Sequence, residues 1–256
     1  MLIRIGGLDT YCGLEGQGDP VVLLHGWGAS SQSLAGVAAS LQGAFRVLNL
    51  DLPGFGWSQA PPEAWGTGEY TTHVLSLLDE TGIFRAAFVG HSFGGRIAIS
   101  LAARHPERVS RLVLVASAGV RPKRSVRYHL TVATTKLLSR ALALPCWGSL
   151  GERLLSRWRD RVGSRDYRAA GRMRPTLVRV VNEDLAPLLP MVQAPALLLW
   201  GDQDQEVGRH AMEIMAAKIP RARLMVFPGA GHFPFRDAPD EFRRRLTGFL
   251  QREDRE

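Results

Sequence analysis

Ser92 has the surroundings of a nucleophilic serine. It lies in a G-x-S-x-G pattern at residues 90–94, after an apolar run and before a run with the composition of a helix. Such a tight turn from strand to helix strains the serine backbone and exposes its hydroxyl above the sheet. Gly90 and Gly94 are needed because a Cβ at either position would collide with a neighbouring element. The pattern predicts a nucleophile elbow, and a buried serine in a structural turn is the alternative.

A serine nucleophile needs a base within hydrogen-bond reach, and the base needs an acid to hold its tautomer. Of the seven histidines, His232 follows the last predicted strand in a glycine-containing loop that can reach back over a sheet. The acid is expected after the preceding strand, where both Asp202 and Asp204 lie. The chain order of serine, acid and histidine is the one expected with a nucleophile elbow.

The elements that must position these residues alternate between strand and helix. After a predicted hairpin around residues 6–7, continuous apolar runs mark strands that are covered on both faces: 21–24, 86–89, 109–116 and 196–200. The alternation predicts an α/β fold with a doubly wound, mostly parallel sheet. Ligands bind beyond the carboxyl ends of strands in such sheets, which is where the candidate residues lie.

The alternation stops between residues 120 and 190. This stretch has helix-like segments at 125–144, 150–160 and 174–189 and no convincing strand. We therefore expect a core domain formed by residues 1–119 and 191–256 and an inserted helical cap, or lid, at 120–190. Some apolar residues of the cap are expected to line an acyl pocket; the candidates are Leu130, Leu137, Leu138, Leu142, Trp147 and Trp158.

The positive charge of the chain is concentrated in the same stretch. The net charge is +8, and residues 120–190 contain 15 arginines and lysines against 5 acidic residues. A solvated arginine-rich surface is the preferred interpretation of this balance. The alternative is that the charge attracts an anionic substrate or an acidic carrier protein, with Arg121, Lys123, Arg124 and Arg127 near the expected pocket mouth. No nucleic-acid-binding motif accompanies the charge, so a nucleic-acid partner is not expected.

Cysteine content and hydropathy indicate the compartment. Cys12 and Cys146 form neither a disulfide framework nor a metal-binding spacing. No apolar run approaches the roughly 20 residues that span a bilayer, and the N-terminal residues lack the order of a signal peptide. We expect a cytoplasmic protein without a membrane span that needs no metal or organic cofactor.

The motifs between residues 23 and 235 resemble those of the α/β-hydrolase superfamily. The superfamily acid is the fourth residue of a G-x-x-D pattern, which corresponds to Asp204 here. The superfamily histidine lies in a G-x-G-H loop, which corresponds to His232. The resemblance therefore implies a Ser92-Asp204-His232 triad, with Asp202 as a turn cap.

Two loops extend the resemblance. Residues 25–28, His-Gly-Trp-Gly, are similar to the superfamily's H-G-x-G loop. The resemblance implies that the oxyanion hole is formed by the backbone amides of Trp27 and of Phe93, the residue after the nucleophile. Residues 51–58 match the D-x-P-G-x-G-x-S loop, which we interpret as structural.

The resemblance implies a serine hydrolase that cleaves carboxylic esters through an acyl-enzyme. Serine at position 92 argues against epoxide hydrolases and haloalkane dehalogenases, which use aspartate there. Two positions differ from the C–C hydrolases of meta-cleavage products. Those enzymes favour asparagine before the serine, where this chain has His91, and an H-G-S-G-P-G loop where this chain has residues 25–28.

Three alternatives stay open. The chain is similar to pimeloyl-carrier-protein methyl ester esterases in the 25–28 loop, the 51–58 loop, the chain length and the basic helical cap, although those esterases have tryptophan before the serine. The other two alternatives are a C–C hydrolase and a non-catalytic ligand-sensing protein on the same scaffold.

Overall fold

The computed structural model describes residues 1–121, 126–142, 144, 147–162 and 164–252. Cys146, Lys123 and Arg124 lie outside these described residues, and Cys12 is a buried free thiol. Among the helices that the structure describes, none has both the length and the apolar character required to cross a membrane.

Eight strands in the described residues form one sheet in the order β1-β2-β4-β3-β5-β6-β7-β8. The strands are β1 (Leu2–Ile5), β2 (Leu8–Glu15), β3 (Pro20–Leu24), β4 (Arg46–Leu50), β5 (Ala86–His91), β6 (Val109–Val115), β7 (Ala196–Gly201) and β8 (Ala222–Phe227). The β1–β2 and β2–β4 pairs are antiparallel, and the other neighbours are parallel. The predicted doubly wound, mostly parallel sheet is confirmed.

The first two strands form the predicted hairpin. Gly6 and Gly7 both have positive φ angles, 54° and 86°, and they connect Ile5 to its partner Leu8. Two successive positive φ angles define the two-residue turn whose twist matches that of the flanking strands. Glycine adopts this geometry without a steric penalty, which explains why the turn falls at this pair.

The helices of the described residues are α1 (Ala35–Leu41), α2 (Thr67–Glu80), α3 (Phe93–Arg104), α4 (Val126–Leu142), α5 (Gly148–Val162), α6 (Arg165–Ala169), α7 (Arg174–Asn182), α8 (Arg209–Lys218), α9 (Pro234–Asp237) and α10 (Pro239–Leu250). Helices α1, α3 and α10 cover the two faces of the sheet. Apolar residues of α1 and α10 form one buried cluster with alternate residues of the strands, including Val21, Leu23 and Val89. The neighbouring residues Val22, Leu24 and Phe88 are also fully buried, because α3 contacts β3, β5 and β6.

The chain separates into two compact units: Met1–Arg121 with Arg179–Glu256, and Pro122–Val178. Within the smaller unit, α4 packs against α5, and Trp158 Nε1 donates a hydrogen bond of 2.9 Å to Thr135 Oγ1. Several large apolar side chains of this unit are exposed: Leu130, Leu137, Leu144, Trp147, Leu150 and Leu154.

The helix expected over residues 174–189 ends at Asn182, so that part of the prediction is wrong. The buried Arg96 of α3 donates hydrogen bonds to the carbonyls of Val180 and Glu183, the second at 2.6 Å. The Glu183 carboxylate in turn accepts from the amide of Thr67 at the start of α2. Within the larger unit, these contacts hold residues 180–183 against α2 and α3, and a helix that continued past Asn182 would lose them.

Candidate active site

Ser92 occupies a sharp turn between β5 and α3. Its φ and ψ angles are 50° and −108°, and a positive φ is uncommon for a residue other than glycine. The Ser92 amide donates to the carbonyl of Val115 at the end of β6, and the Ser92 carbonyl accepts from Ala118 and Gly95. The strained conformation is therefore fixed by hydrogen bonds from the neighbouring strand end.

The two glycines that flank the serine lie against the backbone. A Cβ on Gly90 would lie 2.6 Å from the carbonyl oxygen of Gly94, and a Cβ on Gly94 would overlap the carbonyl oxygen of Leu24. Backbone atoms cannot move aside as flexible side chains can. Only glycine at both positions lets the helix start this close to the strands.

The amides of Trp27 and Phe93 are available as donors. Phe93 is the first residue of α3, where backbone N–H groups have no partner within the helix. Among the described residues, neither amide donates a hydrogen bond. The Trp27 and Phe93 rings contact each other edge to face, with centroids 5.4 Å apart. The two residues therefore lie side by side at the start of the elbow helix.

The loops after β3 and β4 are joined by His25. Its Nε2 accepts a hydrogen bond of 2.9 Å from the Leu52 amide, and its Nδ1 donates to the Gly26 carbonyl at 2.7 Å. Burial lowers the pKa of His25 to about 4, which keeps the ring neutral. The His25 carbonyl accepts from the amide of Gly94. His25 thus connects the Trp27 loop to the 51–58 loop and to the elbow.

Asp51 organises the 51–58 loop from inside. Its carboxylate accepts from the amide of Ser31 at 2.6 Å and from the amide of Trp57 at 2.8 Å. The Ser58 hydroxyl donates to the Asp51 carbonyl at 2.6 Å and accepts from the amide of Tyr11. These hydrogen bonds give Asp51 and Ser58 a structural role in the loop, so no catalytic role is needed to explain them.

Asp204 and His232 form a buried pair. Asp204 follows β7, and its Oδ2 lies 2.9 Å from Nδ1 of His232, with the Asp204 side chain fully buried. Burial acts to raise the pKa of Asp204. Hydrogen bonds from His232 and from the amides of Val207 and Glu206 outweigh that effect and lower the pKa below its usual value. The carboxylate therefore stays ionised and can hold the ring.

Asp202 makes a different contact. Its Oδ1 accepts a hydrogen bond of 2.8 Å from the amide of Gly229, which joins the loop after β7 to the loop after β8. No hydrogen bond or ion pair between Asp202 and His232 is present in the described part of the chain. Of the two aspartates that the sequence offers, the structure brings Asp204 to the histidine.

His91 contributes a contact that the sequence did not indicate. Its Nε2 donates to the carbonyl of His232 at 2.9 Å, and the two ring centroids are 4.8 Å apart. Burial lowers the pKa of His91 to about 3, so the ring is neutral and its proton stays on Nε2. Because His91 precedes Ser92, this hydrogen bond connects the elbow directly to the histidine loop.

The other nitrogen of His232 faces Glu206. Its Nε2 lies 3.3 Å from Oε2 of Glu206, and within the described residues the Ser92 hydroxyl makes no hydrogen bond to the ring. Sequence reasoning missed Glu206. Its position two residues after Asp204, in the same turn, was the available signal.

An aromatic cluster lies beside the oxyanion donors. The rings of Trp27, Phe55 and Phe93 contact one another, and Tyr70 packs edge to face on Phe93 at 5.1 Å. The Tyr70 hydroxyl donates to the Pro53 carbonyl at 2.9 Å, which fixes its ring. This side of the site is therefore apolar.

No group of histidine, cysteine, aspartate and glutamate among residues that the structure describes could hold a metal ion.

Residues 21–245 match the model of the alpha/beta hydrolase family. The chain belongs to this family and is a hydrolase with an esterase-like sequence.

The relatives are named for different activities. The pimeloyl-[acyl-carrier protein] methyl ester esterase of Chromobacterium violaceum is 34% identical, covering 95% of this chain and 99% of that protein. The 2-hydroxymuconate semialdehyde hydrolase of Pseudomonas putida is 30% identical over 98% of this chain and 94% of that protein. The enol-lactonase structure from Burkholderia xenovorans is similar with a TM-score of 0.76 and 25% identity, covering 98% of this chain and 100% of that one.

Proposed function

We propose that the chain hydrolyses carboxylic esters through an acyl-enzyme on Ser92. His232 accepts the Ser92 proton at Nε2 and then donates it to the leaving alcohol, while Asp204 holds the ring through Nδ1. The amides of Trp27 and Phe93 bind the oxyanion. A water molecule that His232 deprotonates then attacks the acyl-enzyme and releases the carboxylic acid, which regenerates the serine.

The observation that carries this proposal is the 2.9 Å contact between His232 Nδ1 and the buried Asp204. Because a carboxylate only accepts hydrogen bonds, Nδ1 carries the hydrogen, and the neutral ring presents Nε2 as a base. The hydrogen bond from His91 to the His232 carbonyl attaches this base to the residue next to Ser92. The strained, half-buried Ser92 supplies the hydroxyl.

The residues at two positions of the sequence favour ester cleavage over C–C cleavage. His91 precedes the serine, and Trp27 occupies the loop after β3. The C–C hydrolases of meta-cleavage products, from which the sequence departs, favour asparagine before the serine and an H-G-S-G-P-G loop after β3. The esterase names among the relatives also support an ester substrate, while the relative named 2-hydroxymuconate semialdehyde hydrolase shows that not all relatives are named as esterases. C–C cleavage therefore stays the competing reaction.

A panel of p-nitrophenyl esters with increasing acyl length tests the proposal. Wild type is expected to turn over at least one ester at an ordinary kcat, of order 1–10³ s⁻¹. The Ser92→Ala variant is expected to keep its fold by circular dichroism and to lose this activity. A folded Ser92→Ala variant with substantial kcat would overturn the mechanism. Binding of esters without turnover would favour a ligand-sensing protein.

A second candidate is the methyl ester of an acyl chain on an acidic carrier protein, with residues 120–190 as a cap that receives it. Named relatives and the surplus of basic residues in this segment support it. Electrostatic steering would make kcat/KM for a carrier-bound ester fall steeply between low and physiological salt, where the screening length is about 8 Å. A neutral p-nitrophenyl ester is the control.

Charge reversal gives the second arm of that test. Replacing Arg121, Lys123, Arg124 and Arg127 with glutamate is expected to slow the carrier-bound ester and to spare the neutral one. Flat salt profiles for both substrates would remove the carrier-protein candidate and leave the charge as surface composition.

A further inference from the structure

The buried ring of His91 lies between two loops of the candidate site. Its Nε2 donates a hydrogen bond of 2.9 Å to the main-chain carbonyl of His232. Its Nδ1 faces Gly26, where a Cβ would lie only 2.8 Å from that nitrogen. Gly26 directly precedes Trp27, one of the proposed oxyanion donors. One side chain, next to Ser92 in the chain, therefore contacts both the loop of the base and the loop of the oxyanion hole.

The surroundings of the His91 ring fix its position. The backbone of His91 pairs with Val115 at the end of β6. The rings of Phe233 and Phe235 have centroids 5.1 and 5.2 Å from that of His91. The residue is 3% exposed, and burial lowers its pKa to about 3, so the ring is neutral and has a single N–H. This N–H is committed to the carbonyl of His232, because a carbonyl oxygen only accepts hydrogen bonds.

The hydrogen bond from His91 gives His232 a second anchor. Asp204 holds the ring of His232 at Nδ1, at 2.9 Å, whereas His91 holds the main chain of the same residue. No other hydrogen bond between residues 90–94 and residues 229–233 is present in the part of the chain that the structure describes. Without the main-chain anchor, the loop would be able to shift while its ring stays bound at Nδ1, and Nε2 would move relative to the serine hydroxyl.

We propose that His91 is a positioning residue that holds the main chain of His232 through its Nε2–H and so sets the distance between this base and Ser92. The inference rests on the proposed function. A general base must lie within hydrogen-bond reach of the proton that it takes. A misplacement of about 1 Å can lower a rate by about 100-fold. The hydrogen bond from His91 therefore supports kcat, although His91 itself takes no part in the proton transfers.

Substitutions at position 91 separate the donor from the ring. His91→Phe keeps an aromatic ring but has no donor, whereas His91→Gln loses the ring and keeps an N–H donor on a side chain of comparable reach. We expect His91→Phe to lower kcat and kcat/KM for a p-nitrophenyl ester together, by about 10- to 100-fold, because the ground-state binding of the ester is unchanged. His91→Gln is expected to recover most of this loss. If His91→Phe does not fold by circular dichroism, His91→Asn takes its place, because its shorter side chain does not reach the carbonyl.

His73→Phe is the matched control. His73 is also buried, burial lowers its pKa to about 4, and its Nε2 lies 2.8 Å from Thr10 Oγ1 in a hydrogen bond. The same substitution there removes a buried hydrogen bond between α2 and β2, so it reports the effect of lost stability alone. Its kcat is expected to stay within a few-fold of wild type.

A second readout does not depend on turnover. The Nδ1 proton of His232, which Asp204 binds, gives a downfield NMR signal that is identified by its loss in His232→Gln. We expect this signal to shift or broaden in His91→Phe, because the loop that carries the ring is no longer anchored. In His91→Gln the signal is expected to return toward its wild-type position.

Three results would overturn the inference. They are a wild-type kcat in the donor-free variant, equal losses of kcat in His91→Phe and His91→Gln, and an equal loss in His73→Phe. Hydrolysis that persists in Ser92→Ala would instead overturn the proposed function. The NMR signal would then still decide whether His91 fixes the ring of His232.

Discussion

Asp202 and Asp204 differ in what their carboxylates contact. The Asp204 side chain is buried and bonded to the His232 ring, whereas Asp202 caps the Gly229 amide at the surface. Both aspartates follow β7 and have the same side chain, so their residue type does not distinguish them. The turn after β7 distinguishes them, because it directs the Asp204 carboxylate toward His232 and the Asp202 carboxylate toward Gly229.

The Asp204→Asn variant is expected to lower kcat by about three to four orders of magnitude, because it removes the charge that stabilises the protonated ring. Asp202→Asn is the matched control. Its Oδ1 can still accept from Gly229, so kcat should stay within a few-fold of wild type. Steady-state kinetics, with thermal melts to verify folding, compare the two. A larger loss of kcat in Asp202→Asn would contradict the assignment of the acid.

The sequence indicated different parts of the candidate site to different degrees. Ser92 and His232 stood out from local patterns, since the elbow and the glycine loop are formed by neighbouring residues. Asp204 was selected over Asp202 by resemblance alone. Glu206 was missed because its contact depends on how the turn after β7 meets a loop that follows a different strand.

The elbow helix depends on close approach between backbones. Gly94 lies in α3, and a Cβ there would overlap the Leu24 carbonyl of β3. Gly248 lies in α10 with no heavy atom within 4 Å of the position that its Cβ would take. The same substitution at these two helical glycines therefore has opposite expected effects.

We expect Gly94→Ala to destabilise the protein by more than about 2 kcal/mol, since strand or helix must shift. Gly248→Ala is expected to be neutral or stabilising by up to about 1 kcal/mol, because alanine is the better helix former. Urea unfolding of both variants measures the difference. Equal free energies of unfolding would show that the contact between helix and strand is loose.

At the scale of elements, the sequence predicted most of the core but not the end of α7. The bounds of the four apolar strands β3, β5, β6 and β7 were predicted to within two residues, because continuous apolar runs mark buried strands directly. The end of α7 was missed because it depends on Arg96, a residue distant in sequence that takes the carbonyls of Val180 and Glu183. The hydrophobic periodicity of a helix depends only on neighbouring residues, so it does not reveal a contact with a residue distant in sequence.

Buried neutral histidines make the stability of the whole molecule depend on pH. Burial lowers the pKa of His25 and of His73 to about 4 and that of His91 to about 3, from an ordinary value of 6.5. Below about pH 6.5 the unfolded chain binds protons that the folded chain does not. The free energy of unfolding therefore falls as the pH decreases from about 6.5 to 4.

Each such histidine contributes a slope of up to about 1.4 kcal/mol per pH unit in that window. We expect His73→Gln to reduce the slope by up to that amount, because it removes a ring whose pKa burial lowers to about 4. Urea unfolding at several pH values between 7.5 and 5 provides the slopes. If the free energy of unfolding of wild type did not change with pH over this range, the conclusion that these histidines are buried in the neutral form would be wrong.

Covalent chemistry at Ser92 is tested most directly by mass spectrometry of the protein quenched in acid during turnover of a p-nitrophenyl ester. We expect a mass increase of one acyl group, located by peptide mapping to Ser92 and absent in Ser92→Ala. The Asp204→Asn variant provides a folded protein in which the signal forms slowly. Turnover without any acyl adduct on Ser92, or an adduct on another residue, would contradict the acyl-enzyme mechanism.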